Sequence, residues 1–319
     1  MTGLLRCWAA VSALVFLTGC ASDVRVMVSD LDRQPVEVEL VNTPFYSQVS
    51  DQCGPSALAT ILAVSGVTVA PEELKSRVYI PGREGSLQIE LLAATRGYKR
   101  IPYLIDPEIT ALLGELRAGR PVLVLQNLGM RLTPVWHYAV VVGYQPDKKR
   151  IILRSGDQKR HLVNASRFIR SWQRAEFWGV VVLLPGNLPS LPDAEKYVRS
   201  VAALEAVGDF ESAVAGYHAA TERWPEEPMA WLGLGNASYA QGDPGSAERA
   251  YKELLAIDSR HAVALNNLAQ VQADRGCYED AVATLNIALS AAEPNTAMFN
   301  IVKAAHQKIE SRESAKSCL

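Results

Sequence analysis

Gly208, Gly242 and Gly276 stand 34 residues apart, Ala213, Ala247 and Ala281 repeat that step, and Tyr217, Tyr251 and Leu285 keep it. A fixed step of this length marks a supersecondary unit that cannot bury its apolar face alone and must stack on its neighbours. The sequence around it is alanine-rich and carries no strand pattern, so each unit is a pair of antiparallel helices. The glycine belongs at the turn between them, the alanine where they approach too closely for a larger side chain. Three units from about Ala194 to Glu293 are expected, then a capping helix from Asn295 to about Glu310 that hides the last open apolar face and a tail, 312–319.

The repeat resembles the tetratricopeptide repeat: Trp231, Leu234 and Gly235 fill its first-helix positions and Pro225 its closing proline. Tyr197 and Leu265 stand where that family often has Trp. The resemblance implies a concave groove for a peptide or protein partner; the plainer alternative is an appendage that spaces or dimerises its neighbour domain.

A chain of 319 residues suggests about two domains. Residues 36–187 mix short β-rich runs with helical stretches. Val36–Val41, Pro121–Gln126, Tyr138–Tyr144, Arg150–Arg154 and Gly179–Leu184 read as strands, with a turn at 145–148 making 138–154 a hairpin. Cys53–Ser65, Ser86–Arg96 with Ser86 as cap, and Glu108–Ala118 read as helices. The expected fold is an α+β domain, a Pro-rich linker at 188–193, and an all-α solenoid over 194–311. With 32 Lys+Arg against 34 Asp+Glu the net charge is −2, which gives no bulk electrostatic reason to expect nucleic acid. No His/Cys/acid cluster has metal-ligand spacing, and no cofactor is expected.

Arg6 precedes an apolar run, Cys7–Leu17, that is short for a bilayer span and is followed by small residues, the pattern of an export signal. Leu17-Thr18-Gly19-Cys20 resembles the lipobox of bacterial lipoproteins, which implies removal of residues 1–19, lipidation of Cys20 and a short polar tether over 20–35. Ala21 and Ser22 lack the aspartate that usually retains such proteins at the inner membrane. The expected location is the cell envelope, lipid-anchored at the outer membrane and facing the periplasm. Cys277 and Cys318 could pair in such an oxidising compartment.

Cys53 opens a helix, where backbone N–H groups and the helix dipole favour thiolate over thiol and make the sulfur a nucleophile. Pro55 is tolerated in the first turn and Gly54 would let a substrate carbonyl approach. Gln48, upstream on a loop, can donate its amide to an oxyanion beside the Cys53 N–H. The base should be a histidine held by the sheet, and His137, opening Trp136-His137-Tyr138-Ala139-Val140-Val141-Val142-Gly143-Tyr144, fits. His161, His218, His261 and His306 lie outside such a context. Asp157 is the nearest acid for orienting the imidazole, Ser155 a less polarising substitute.

The order Gln48, Cys53, His137, with Cys-Gly-Pro opening a helix and the histidine opening a strand, resembles the papain-like peptidases that trim double-glycine leaders in bacteriocin exporters, in their stand-alone, lipid-anchored, repeat-bearing form. The resemblance implies a papain-like cysteine peptidase domain acting on a peptide or protein substrate: Cys53 as nucleophile, His137 as base and later acid, Gln48 as oxyanion donor, with Gln52 as the alternative because the glutamine–cysteine spacing varies in that family. That family usually has an acid followed by proline after the histidine strand; here the chain has Arg154-Ser155-Gly156-Asp157. The alternatives are a peptidase-like scaffold without turnover, and acyl transfer to an amine instead of water. All of it requires the Cys53 sulfur and the His137 imidazole to meet.

Overall fold

A computed structural model of the chain describes residues 24–47, 52–83 and 85–311. These residues divide into two compact units, one running to Leu183 and including Pro189–Leu191, the other comprising Leu184–Leu188 and the chain from Pro192 onward. The export signal, Cys20, Gln48, Cys318 and the tail lie outside the described residues.

The first unit is built on a seven-stranded antiparallel sheet of β1 (Val38–Glu39), β4 (Ile101–Leu104), β5 (Val122–Asn127), β6 (Trp136–Gln145), β7 (Arg150–Ser155), β8 (Gln158–Asn164) and β9 (Gly179–Leu183). Its order is β4-β9-β5-β6-β7-β8, with β1 also paired to β6; a separate ribbon joins β2 (Tyr79–Ile80) to β3 (Gly85–Ser86). Strand alternation turns Leu123, Leu125, Tyr138, Val140 and Val142 to one face, where Leu58, Ile61 and Leu62 of α2 (Cys53–Val64) close the core against them. Gln126 points to the other face and donates to Ser171 Oγ of α6 (Ala165–Gln173) at 2.6 Å. Burying Leu58, Ile61 and Leu62 contributes roughly 1.5–3 kcal/mol each, enough to fix the helix that carries Cys53.

Two expectations need correction. Residues 24–32 are not a polar tether but helix α1, because Val24, Val28 and Leu31 share one helical face and Val24 and Leu31 are buried. Ser86 does not cap a helix: it ends β3, paired with Tyr79, and the helix α4 begins two residues later (Gln88–Gly97). The expected linker is tied down at one point. Buried Glu115, on α5 (Ile109–Arg117), accepts hydrogen bonds from Ser190 N at 2.6 Å and Oγ at 2.8 Å, and pairs with Arg120 at 2.5 Å.

The second unit is a run of helical hairpins: α7 (Ala194–Glu205) with α8 (Phe210–Arg223), α9 (Pro228–Ala240) with α10 (Pro244–Ile257), α11 (Ala262–Asp274) with α12 (Tyr278–Ala291), then α13 (Ala297–Glu310). Gly208, Gly242 and Gly276 each sit at the hairpin turn with φ of +75°, +86° and +83°, which a side chain would strain. Ala213, Ala247 and Ala281 are fully buried. A Cβ on Gly233 would lie 2.2 Å from the Tyr217 ring and one on Gly235 2.3 Å from the Tyr251 ring, so these glycines admit the repeat's tyrosines. Cys277, at the third hairpin turn, is disulfide-bonded.

Candidate active site

Cys53 is the first residue of α2 and keeps its thiol. Gln52 precedes it at the cap position without a side-chain cap hydrogen bond, so the first-turn N–H groups are left to other acceptors. The half-buried sulfur opens into a cavity of about 870 Å³, walled by Ser86, Leu125, Trp136, Tyr138 and Arg174. Gly54 is explained by packing more than by substrate approach: a Cβ there would fall 2.5 Å from Ser86 Oγ and 2.7 Å from its Cβ. Tyr138 donates to Ser86 O at 3.2 Å, which joins β6 to the ribbon beside the cleft. Burial pushes the Tyr138 phenol far above its ordinary range, and Cys53 is near enough to add to the shift.

His137 lies between Trp136 and Tyr138, which line the cleft while His137 itself does not, and it pairs in register with Gln126 of β5, on the face away from Tyr138. Its Nε2 meets Ser155 Oγ at 2.8 Å. Among the described residues, Nδ1 carries no hydrogen bond. Desolvation by burial pushes His137 below its ordinary value, and His161 lowers it further. His161 therefore bears on the site despite its remoteness in sequence: it stands on β8 opposite Leu153, its Nδ1 2.7 Å from Gln158 Oε1.

Asp157 is not the partner of His137. The β7–β8 connection is a tight hairpin closed by the pair Ser155–Gln158, with Gly156 at φ +61° in the first turn position, where a type II′ turn needs glycine. That turn sends Asp157 out to solvent and leaves Ser155, the last strand residue, facing the ring. The orienting group is thus a neutral hydroxyl.

Arg154, beside Ser155, is a residue that sequence reasoning passed over. It is 3% exposed, and its guanidinium donates to Thr43 O from Nε (3.3 Å) and Nη2 (3.2 Å), to Val41 O from Nη2 (3.2 Å) and to Lys159 O from Nη1 (2.5 Å). The register slips between Leu153 and Ser155, so that two residues of β8, Lys159 and Arg160, face Arg154 alone; this bulge leaves the Lys159 carbonyl available. Adjacent residues of β7 therefore hold the imidazole and the segment that leads to Cys53. A charged residue in an otherwise apolar strand, Ile151-Ile152-Leu153-Arg154, is the signal that could have drawn attention to it. Among the described residues no group of three or more His, Cys, Asp or Glu could hold a metal ion.

Residues 40–180 match the family model described as Peptidase_C39 like family. Residues 200–262 and 238–305 match two tetratricopeptide repeat models. The chain thus carries a papain-like, C39-like domain followed by tetratricopeptide repeats. No curated protein matches it. Among solved structures, a C39-like peptidase from Bacillus anthracis is 18% identical, covering 46% of this chain and 98% of that one at a TM-score of 0.39. The type III secretion chaperone SycD of Yersinia enterocolitica, in complex with a peptide of the translocator YopD, is 18% identical over 38% of this chain and 94% of that one, TM-score 0.35. The OM64 repeat domain of Arabidopsis is 18% identical over 38% and 96%, TM-score 0.35.

Proposed function

We propose that this chain, a C39-like domain joined to tetratricopeptide repeats, is a cysteine peptidase of the bacterial cell envelope that hydrolyses peptide bonds through a thioester acyl-enzyme. The observation that carries the reading is the Cys53 sulfur at the head of α2, opening into a cleft walled by the two residues that flank His137. In the tautomer that the mechanism uses, Nε2 donates to Ser155 Oγ and Nδ1 is the basic nitrogen. The mechanism requires Nδ1 to come within hydrogen-bond reach of the sulfur when substrate fills the cleft, since catalytic hydrogen bonds commonly form only in the substrate complex. His137 then takes the thiol proton as Sγ bonds to the carbonyl carbon, and the Cys53 N–H and Gln48 amide receive the oxyanion. Collapse breaks the C–N bond, the proton passes to the leaving amine, and a water activated by His137 cleaves the thioester.

Cys53→Ala should abolish cleavage, and labelling of this residue by an electrophilic probe, while the melting temperature stays within a few degrees. Peptides from periplasmic extracts of wild-type and Cys53→Ala strains, compared by mass spectrometry, would identify the substrate. Equal cleavage by Cys53→Ala refutes the mechanism. The neutral Ser155 at the imidazole favours a second reading, a scaffold that holds peptides without turnover. Stoichiometric alkylation of Cys53 at neutral pH, much faster than for an ordinary thiol, excludes it. In either reading the repeats bind a peptide or protein partner. The envelope assignment rests on the Leu17–Cys20 motif and is supported by the disulfide at Cys277. Metabolic labelling with a fatty-acid analogue, lost in Cys20→Ala, checks the lipid anchor.

A further inference from the structure

The loop from Leu128 to Val135, between β5 and β6, has its shape set by hydrogen bonds, not by burial of its own side chains. Asn127 Oδ1 accepts from Gly129 N and Val135 N, each at 3.0 Å, and Leu128 N donates to Val135 O at 2.8 Å. Arg174 donates to Asn127 O at 3.1 and 2.7 Å, and a Cβ on Gly129 would fall 2.3 Å from Thr133 O. So braced, the loop and the head of β6 present Leu128, Met130, Leu132, Val135 and Trp136 to solvent, with Leu132 94% and Met130 71% exposed. Val135 and Trp136 wall the cleft; Met130 and Leu132 do not, so a peptide in the cleft leaves them unexplained.

Arg174 links this loop to a second, open cavity of about 730 Å³ between α1 and α6. Arg25, Lys149, Arg170 and Arg174 line it, with Asp32 the one carboxylate, held by Lys149 at 2.9 Å. Among the described residues no carboxylate pairs with Arg25 or Arg170. With Arg131 on the loop and Arg83 in the cleft wall, six cations stand against two carboxylates, Asp32 and Glu176, among the described residues. Apolar side chains at a braced tip, a tryptophan at its base and cations beside it match an anionic bilayer: neither apolar contact nor basic charge alone gives firm attachment, and the two together do.

We propose that the β5–β6 loop and the adjoining basic cavity dock the first unit on an anionic lipid surface, with Met130 and Leu132 entering the acyl boundary and Arg25, Arg170 and Arg174 meeting phosphate headgroups. The inference goes beyond the peptidase reading and stands without the lipid anchor at Cys20. The test is hydrogen exchange on the full chain carrying Cys20→Ser, resolved to residues 128–136, with phosphatidylglycerol vesicles, phosphatidylcholine vesicles and inorganic phosphate alone. Phosphatidylglycerol should slow exchange of 130–133 at least fivefold; phosphatidylcholine and free phosphate should not. Met130→Asp with Leu132→Asp should remove the effect, and Arg25→Glu with Arg170→Glu should raise the lipid needed at least tenfold. Absence of slowing on phosphatidylglycerol, or equal slowing on phosphatidylcholine, overturns the proposal. The same slowing by inorganic phosphate alone makes the cavity a phosphate site and also overturns it. If the loop variants keep vesicle protection but raise KM for a soluble peptide tenfold, the loop is a peptide subsite instead.

Discussion

Replacing Ser155 by Asp should change the electrostatics of His137 more than any other single substitution. The wild-type imidazole is half-buried, meets a neutral hydroxyl at 2.8 Å, and has its protonation disfavoured by desolvation and by His161. A carboxylate at that position would lie close to Nε2. The bare attraction at 4 Å is about 4 kcal/mol at an effective dielectric of about 20, before the cost of burying the carboxylate. An opposite charge in this range favours the protonated ring by about 1.4–4 kcal/mol net, roughly tenfold to a thousandfold in the protonation equilibrium. The sign reverses the wild-type behaviour. With the folded value lowered, the unfolded chain takes up a proton first as pH falls below about 6.5, so stability declines with acidification. In Ser155→Asp the folded value is raised, and the histidine's contribution is full below about 6.5 and fades as pH rises through the folded value. Proton NMR of the His137 ring and the pH profile of Cys53 alkylation by iodoacetamide both report it: the imidazolium should persist to higher pH and alkylation near neutrality should accelerate. If the variant folds, its ring titrates where the wild-type ring does and the alkylation profile stays put, the assignment of Ser155 as the orienting group is wrong.

Four other outcomes follow from named contacts. Gly54→Ala forces a Cβ to 2.5 Å from Ser86 Oγ and should cost about 1–3 kcal/mol in urea unfolding of the first unit, with Ser86→Gly recovering most of it in a double-mutant cycle. Arg154→Met leaves the carbonyls of Val41, Thr43 and Lys159 without their donor; at about 1–3 kcal/mol for each buried unsatisfied group the loss should exceed about 3 kcal/mol, with faster hydrogen exchange through 40–47. Gly233→Ala gains about 1 kcal/mol of helix propensity but meets the buried Tyr217 ring at 2.2 Å, so calorimetry should show the repeats melting earlier. In the unreduced protein a maleimide should modify Cys53 and spare Cys277 until a reductant is added.

The repeats were legible because their constraint is local and recurs: a glycine at positive φ and a buried alanine every 34 residues announce themselves without any long-range contact. The placement of Cys53 at the head of α2 and of His137 near the head of β6 was legible for a related reason, since both are set by neighbours in sequence. What escaped depends on distant segments or on turn geometry. Helix α1 shows only Val24, Val28 and Leu31 as a stripe, too little to separate it from a tether. Arg154 reads as a surface residue until Val41 and Thr43, 113 and 111 residues earlier, fold over it. Between Asp157 and Ser155, both offered by the sequence, acidity alone favours the aspartate. Gly156 decides otherwise: extending the β6–β7 register past the Val140–Arg154 pair would set Asp157 opposite His137, but the turn at Gly156 ends the strand first. Position in the hairpin, not side-chain acidity, selects the group that meets the imidazole, and among the described residues that group is a hydroxyl and not a carboxylate.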